Sequence, residues 1–293
     1  MYPASFEYLA PTTLDDAIAH LDAHGDDGKV LAGGQSLIPL MKLRFAVPAV
    51  LVDINRVGDL GDTIAADAGG LVIGARVRHK DCERSEHLRG RYAALGRAAP
   101  QISDPIVRNH GTVCGSLAHA DPQGDWASVV LALGGSVVAR GPRGTRTIPL
   151  AGFVTGPFQN VLEPDEIAVE AVIPAAQGAR SGGYLKLERR VGDFATVGVA
   201  VALETSGGKV VRAGIALTGV GGSTIGATEA AQALTGQPLT AETIEQAAEL
   251  AAQAARPRTD HRGSADYKRH MVRTFVLRLL SRGETAETAE RAA

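Results

Sequence analysis

Two adjacent glycines, Gly33 and Gly34, constrain this chain most strongly, because they interrupt a stretch that is apolar on both sides, LAGGQSLIPLMKLRF. The preceding KVLAGG predicts a short buried strand, so the pair lies at the carboxyl end of a strand, where α/β proteins commonly bind ligands. Apolar residues at helical spacing follow from Ser36, and Pro39 is compatible with a helix only in its first turn. Exposed backbone N–H groups followed by a helix N-terminus predict a site for an anion such as a pyrophosphate.

A second glycine cluster lies in NHGTVCGSLAHADPQGD. It offers glycines for close backbone approach and side chains that can form hydrogen bonds: Gly111, Gly115, Gly124, Thr112, Ser116 and Asp125. A Gly-Gly turn alone is also compatible with a plain turn, and neither cluster is a Walker A or G-x-G-x-x-G motif. Two clusters in one domain predict a dinucleotide, with a carboxylate as a suitable acceptor for its hydroxyl groups.

The order of patterns along the chain predicts two domains. Strands and helices alternate in the first half, with a helix over residues 86–102 and a long, functional loop from Asp104 to Asp125. The small and polar residues 175–182 predict a domain boundary. Antiparallel strands and then two helices follow, which is typical of a separate α+β domain.

Composition excludes several classes of protein. The 293 residues are 45% hydrophobic and 21% charged, and a net charge of −2 without basic runs argues against nucleic acid as a partner. Two cysteines are too few for an iron–sulfur cluster held by this chain alone, and no metal-binding motif is present. We expect no membrane span and no targeting segment, hence a cytoplasmic protein.

The two glycine motifs together resemble the FAD-binding medium subunit of the molybdenum hydroxylases, the group of aerobic carbon monoxide dehydrogenase and xanthine dehydrogenase. The likeness extends from FEYLAPTTLDDAIAHL to YLKLERRVGDFATVGVA, nearly the whole chain. It implies an α+β fold with a two-subdomain FAD-binding domain of the vanillyl-alcohol oxidase (PCMH) type, followed by a smaller α+β domain. The implied boundaries are 1–176 for the FAD-binding domain, with subdomains of about 1–56 and 57–176, then 182–283, and a disordered tail at 284–293.

The resemblance also implies which residues bind FAD, and it implies no catalytic residue. The first motif contributes Ala32, Gly33, Gly34, Gln35, Ser36 and Leu37. The second contributes Gly111, Thr112, Val113, Cys114, Gly115 and Ser116, and further along the chain the implied contacts are Asp125 to a flavin hydroxyl, Lys186 near the flavin and Phe194 near the isoalloxazine rim. In carbon monoxide dehydrogenase the first motif usually has His at the position of Gln35, and the second has two glycines at Cys114–Gly115. These departures argue against carbon monoxide as substrate without arguing against FAD.

The implied function is electron transfer within a three-subunit dehydrogenase. A small [2Fe–2S] subunit and a large molybdopterin subunit would be separate chains, and FAD would pass electrons to a quinone, a cytochrome or NAD. Two alternatives stay open at this point. One is a stand-alone flavin oxidoreductase of the same fold, and the other is a non-catalytic nucleotide-binding scaffold.

Overall fold

The computed structural model describes residues 2–291, with side chains as far as Ser281. The strands are β1 (Glu7–Leu9), β2 (Gly28–Leu31), β3 (Val50–Asp53), β4 (Ile64–Asp67), β5 (Gly70–Gly74), β6 (Ser136–Gly141), β7 (Gly144–Pro149), β8 (Val154–Gly156), β9 (Gln159–Asn160), β10 (Ile167–Pro174), β11 (Ala179–Leu187), β12 (Val197–Ser206), β13 (Lys209–Thr218) and β14 (Ile225–Gly226). The α-helices are α1 (Leu14–His24), α2 (Leu37–Lys42), α3 (His79–Arg84), α4 (Ala93–Ala98), α5 (Pro105–His110), α6 (Val113–His119), α7 (Asp125–Ala132), α8 (Leu150–Phe153), α9 (Thr228–Leu234), α10 (Ala241–Ala254) and α11 (Ala265–Arg291). Among these residues no helix is both long and apolar enough to cross a bilayer. The tail predicted at 284–293 lies beyond the described side chains.

The N-terminal part begins with a small parallel sheet in the order β1-β3-β2. Helix α1 starts at Leu14 because the side chain of Thr13 accepts a hydrogen bond from the N–H of Asp16, which caps the first turn. Its buried face, which includes Leu14, Ile18 and Leu21, packs against β3. This packing holds the carboxyl ends of β2 and β3 side by side.

A second, five-stranded sheet follows in the order β4-β5-β10-β6-β7, with every pair antiparallel. Helix α7 shares a buried core with this sheet and is apolar around nearly its whole circumference, which is typical of a helix buried between two layers. The other layer is the C-terminal sheet β11-β12-β13-β14. Helix α7 therefore joins the two halves of the molecule.

The C-terminal sheet buries both of its faces. Its larger side chains, such as Val199, Val201 and Leu217, pack against its own helices α9, α10 and α11. Small residues, such as Ala200 and Ala202, face the N-terminal core. Because alanines leave little side-chain volume on this face, α4 and α7 can approach the sheet closely.

Two sequence-based expectations about local structure are wrong. The helix predicted over 86–102 is broken into short 3-10 turns around α4, because Gly90 has a left-handed φ of 55° and Gly96 packs against the carbonyl of Leu88. The loop predicted from Asp104 to Asp125 contains α5 and α6. Strand β11 begins inside the polar segment 175–182, and the domain boundary predicted there stays a prediction.

Candidate functional site

The two glycine motifs meet in space. The first loop, residues 32–37, follows β2, and the second loop, residues 111–116, runs from the end of α5 into α6. A Cβ atom added at Gly33 would lie 2.6 Å from the Cα of Gly111 and still closer to the carbonyl oxygen of His110. The close approach that makes Gly33 necessary is therefore the backbone of the second loop.

Gly34 is needed for a different reason. Its φ of 71° lies in the left-handed region, where a residue with a side chain is strained. Next to it, the amide Nε2 of Gln35 donates to the carbonyl of Gly33 at 3.1 Å. The left-handed φ of Gly34 and the hydrogen bond from Gln35 together give the first loop a fixed conformation.

The first loop offers backbone donors. Within the part of the chain that the structure describes, none of the N–H groups of residues 33–37 donates a hydrogen bond. Helix α2 begins at Leu37, with Ser36 at the N-cap position, but it has only six residues, so the donors belong mainly to the loop itself. Half-buried N–H groups without partners are suited to bind an anionic group.

The second loop is more self-contained. The hydroxyl of Thr112 accepts from the N–H of Gly115 at 3.1 Å and caps α6, while the N–H of Val113 donates to the carbonyl of Val77. The bare Cα of Gly111 packs against the imidazole of His79, since an added Cβ would lie 2.6 Å from Nε2. The second loop therefore supports the first more than it adds donors.

An apolar cleft of about 80 Å³ opens beside both loops. Ala32 from the first loop and Cys114 and Gly115 from the second line it, and Ala168 at the start of β10 completes one wall. Burial raises the pKa of the Cys114 thiol to about 12, so this cysteine is a packing residue and not a reactive thiolate. The cleft is suited to a planar apolar group next to the backbone donors.

Asp125 and Lys186, both predicted to lie near the flavin, contact each other. Lys186 Nζ donates to Asp125 Oδ2 at 3.1 Å and to the carbonyl of Gln101 at 2.8 Å, and Tyr184 donates to Asp125 Oδ1 at 2.5 Å. Both charged side chains are buried. Because both oxygens of Asp125 already accept hydrogen bonds, a flavin hydroxyl would have to share one of them, and its predicted contact stays a prediction.

Phe194 lies apart from this buried pair, in the loop between β11 and β12. It is 53% exposed, and its carbonyl accepts from Arg262 Nη1 at 3.0 Å. The described contacts do not join it to either glycine loop, so its place near the isoalloxazine also stays a prediction.

Sequence reasoning missed two polar residues that contact the loops, Asn55 and Arg78. Asn55 follows β3, the strand next to β2, and its Nδ2 donates to the carbonyl of Ala32 at 2.8 Å. Its position after a neighbouring strand was a usable signal. Arg78 donates to the carbonyl of His110, and no local pattern indicates this contact.

We expect His79, beneath the second loop, to make the fold less stable in acid. Trp126 Nε1 donates to His79 Nδ1 at 3.0 Å, and burial, with the positive charges of Arg108 and Arg78, lowers the pKa of His79 to about 4. A base whose pKa falls on folding stabilises the fold fully above its unfolded pKa of about 6.5, and that stability is lost as the pH falls towards 4. We expect the free energy of unfolding to drop by about 1.4 kcal/mol per pH unit in this window, about 3 kcal/mol in all.

The measurement is urea unfolding of the wild type and the His79→Gln variant from pH 7 to 4. Groups that titrate in both proteins cancel when the two free energies of unfolding are subtracted at each pH. The free energy of unfolding of the variant should therefore fall less steeply as the pH is lowered. Parallel curves would show that His79 does not contribute.

Comparison with known proteins identifies the family. The sequence model of the family described as FAD binding domain in molybdopterin dehydrogenase matches residues 4–176. The chain belongs to this family. A second model, CO dehydrogenase flavoprotein C-terminal domain, matches residues 183–282.

Two of the relatives match over nearly their full length. The carbon monoxide dehydrogenase medium chain of Hydrogenophaga pseudoflava is 40% identical over 281 residues, 96% of this chain and 98% of that protein. Subunit alpha of the 6-hydroxypseudooxynicotine dehydrogenase complex of Paenarthrobacter nicotinovorans is 37% identical over 284 residues, 96% and 95% of the two chains. A solved structure of the Hydrogenophaga pseudoflava carbon monoxide dehydrogenase that lacks the Mo-pyranopterin moiety has a chain that matches with a TM-score of 0.91 and 42% identity, covering 96% of this chain and 98% of that one.

These matches confirm the resemblance, the α+β fold class and FAD as the cofactor. The chain is an FAD-binding oxidoreductase subunit, the medium subunit of a molybdenum hydroxylase. The residues present fit this cofactor, since a loop with free N–H groups borders an apolar cleft.

Proposed function

We propose that residues 32–37 and 111–116 hold FAD, and that the chain passes electrons from the [2Fe–2S] clusters of a small partner subunit through FAD to an external acceptor. The acceptor would be a quinone, a cytochrome or NAD. A large molybdopterin subunit would oxidise the substrate, which is carbon monoxide or an N-heterocycle, aldehyde or purine. The single observation that carries the proposal is that the two loops meet at a place where the N–H groups of residues 33–37 donate to no group inside the described chain.

Within this assignment the loops and the cleft have separate roles. The N–H groups of the first loop would donate to the pyrophosphate, and the side chain of Gln35 keeps the loop in shape. The cleft beside Ala32, Cys114 and Ala168 would cover an apolar part of the cofactor and exclude water from it. FAD supplies the redox chemistry, because a flavin exchanges electrons singly or in pairs.

The buried pair of Asp125 and Lys186 would act on the cofactor's surroundings. Lys186, held by Asp125 and the carbonyl of Gln101, would place a fixed positive charge near the flavin. Phe194, exposed on its loop, would cover the isoalloxazine rim.

The cysteine content supports separate partner chains. The chain has two cysteines, Cys82 and Cys114, and both are buried thiols. Burial raises the pKa of each, so neither is suited to bind iron as a thiolate. Clusters that feed electrons to FAD would therefore lie on another subunit.

The proposal predicts that the purified full chain binds FAD, and that substrate reduces this flavin only in the assembled complex. The measurement is an absorption spectrum of the chain after incubation with FAD and gel filtration, followed by anaerobic addition of substrate. The chain alone should keep an oxidised spectrum, and the complex with both partners should bleach.

Two outcomes would contradict the proposal. Bleaching of the flavin on the isolated chain would favour the stand-alone flavin oxidoreductase. Absence of FAD from both the chain and the complex would favour the non-catalytic scaffold.

A further inference from the structure

Two polar side chains outside the glycine motifs connect the two loops. Asn55 Nδ2 donates to the carbonyl oxygen of Ala32 at 2.8 Å, and Asn55 Oδ1 accepts from Arg78 Nη2 at 2.5 Å. The other guanidinium nitrogen, Arg78 Nη1, donates to the carbonyl oxygen of His110. One unbroken series of hydrogen bonds therefore runs from the first loop to His110, the residue that directly precedes the second loop.

Both members of the pair are themselves held in place. Asp53 Oδ1, almost fully buried at the end of β3, accepts from the backbone N–H of Asn55 at 2.8 Å and from its Nδ2 at 2.6 Å. The backbone of Arg78 pairs with Thr112 in an isolated bridge, and its N–H donates to Asp81 Oδ2 at 3.0 Å. The side chains of Asn55 and Arg78 consequently have little freedom to move without moving a loop.

The bond to Ala32 fixes the direction of a donor. In a trans peptide the carbonyl of one residue and the N–H of the next share a plane and point in opposite directions. Asn55 holds the carbonyl of Ala32, so the N–H of Gly33 points away from Asn55, and it donates to no group among the described residues. Gln35 fixes the following peptide in the same way, since its Nε2 holds the carbonyl of Gly33.

We propose that Asn55 and Arg78 are positioning residues for FAD, which set the separation of the two loops and aim the free N–H groups of the first loop. The inference rests on the proposed assignment of these loops to FAD. Arg78 is suited to the task because its planar guanidinium places two donors at a fixed angle, one for Asn55 and one for His110. A lysine ammonium would keep the positive charge but not this geometry.

The test is a titration with FAD, followed by flavin fluorescence, of the full chain or the complex, whichever preparation binds FAD in its wild-type form. Asn55→Leu and Arg78→Met should each raise the dissociation constant of FAD about 10- to 100-fold. The N–H groups of the first loop would no longer point at the pyrophosphate, and losing hydrogen bonds to a charged group usually has an effect of this size. Because the two residues act in series, the double variant should be little weaker than either single one. Arg78→Lys, which also serves if Arg78→Met does not fold, should bind FAD as weakly as Arg78→Met.

A matched control is Arg76→Met. Arg76 lies two residues away and donates to the carbonyls of Leu60 and Asn55, but it contacts neither loop. The dissociation constant of the Arg76→Met variant for FAD should stay within about threefold of the wild-type value, which is about the size of the deviations expected between independent sites. Thermal unfolding of the FAD-free variants separates a loss of fold from a loss of binding.

The outcomes separate the two proposals. If the wild type binds FAD and the Asn55 and Arg78 variants bind it equally well, the positioning role is wrong and the proposed function stands. If Arg78→Lys restores full affinity, Arg78 acts through charge alone, which also overturns the positioning role. If no wild-type preparation binds FAD, the assignment of the loops fails, and this inference fails with it.

Discussion

Replacement of Gly33 by valine is expected to lower the affinity for FAD at least about a hundredfold, which corresponds to about 2.7 kcal/mol. The new Cβ would lie 2.6 Å from the Cα of Gly111 and would overlap the carbonyl oxygen of His110. Both are backbone atoms, so no side-chain rotation relieves the overlap. The two loops must move apart. The N–H groups of the first loop would then no longer point together at the pyrophosphate.

The measurement is the dissociation constant of FAD for the variant and the wild type in the same preparation. Gly152→Val is the matched control, because a Cβ at Gly152 meets no atom within 4 Å. The control should bind FAD like the wild type, and thermal unfolding should show that both variants are folded. If the Gly33→Val variant binds FAD within about threefold of the wild-type affinity, close contact between the two loops is not needed for FAD binding.

The sequence predicted that something must approach Gly33 closely, but not what approaches it. The pattern of strand, glycine pair and short helix is local, and it led correctly to a turn after β2. The neighbour of Gly33 is a backbone 77 or more positions further along the chain, so no local pattern could name it. Only a second cluster with the same chemistry, around Gly111, indicated that the two belong together.

The helices inside the predicted loop had signals that its composition obscured. Asp104 caps α5 and Pro105 occupies its first turn, while Thr112 caps α6. Glycine, proline and aspartate also favour turns, and without tertiary contacts nothing in the sequence decides between the two. Helix α6 forms because its buried residues, such as Leu117, pack into the core under the five-stranded sheet.

The buried charges show where general rules for residue types fail. A lysine in a strand is usually exposed, and only the family resemblance predicted a special environment for Lys186. The side chain is 1% exposed and is paired with Asp125, 61 positions earlier in the chain. Burial of a charge depends on a partner from a distant segment, which a single sequence does not reveal.

Replacement of Glu204 by alanine is expected to lower the free energy of unfolding by about 3 to 5 kcal/mol, because it leaves buried charge unpaired. Glu204 is 1% exposed and accepts from Arg180 at 2.7 Å and 3.1 Å and from Arg212 at 3.4 Å. Its other oxygen accepts from the backbone N–H of Gln177 at 2.8 Å. Two guanidinium groups would lose their carboxylate, and the side chain of Arg180 is only 1% exposed.

The same network extends from the C-terminal sheet into the FAD-binding part of the chain. The guanidinium of Arg180 lies over the ring of Tyr92 with its Cζ 5.5 Å from the centroid, and Arg212 Nη2 donates to the carbonyl of Ala132 at 2.9 Å. Loss of Glu204 should therefore weaken the contact between the two parts as well as the sheet. Limited proteolysis should cut the variant faster than the wild type between β10 and β11.

A double-variant cycle distinguishes a lost ion pair from simple loss of packing. Arg180→Met combined with Glu204→Leu removes both charges and fills similar volume, so it should be destabilised less than the sum of the single variants. Asp266→Ala is the exposed control, since Asp266 pairs with Arg269 on the surface and should cost less than about 0.5 kcal/mol. Urea unfolding at pH 7 gives the free energy of unfolding of the wild type and of each variant. Additive losses in the double variant, or a cost below about 1 kcal/mol for Glu204→Ala, would mean that the buried charges do not depend on each other.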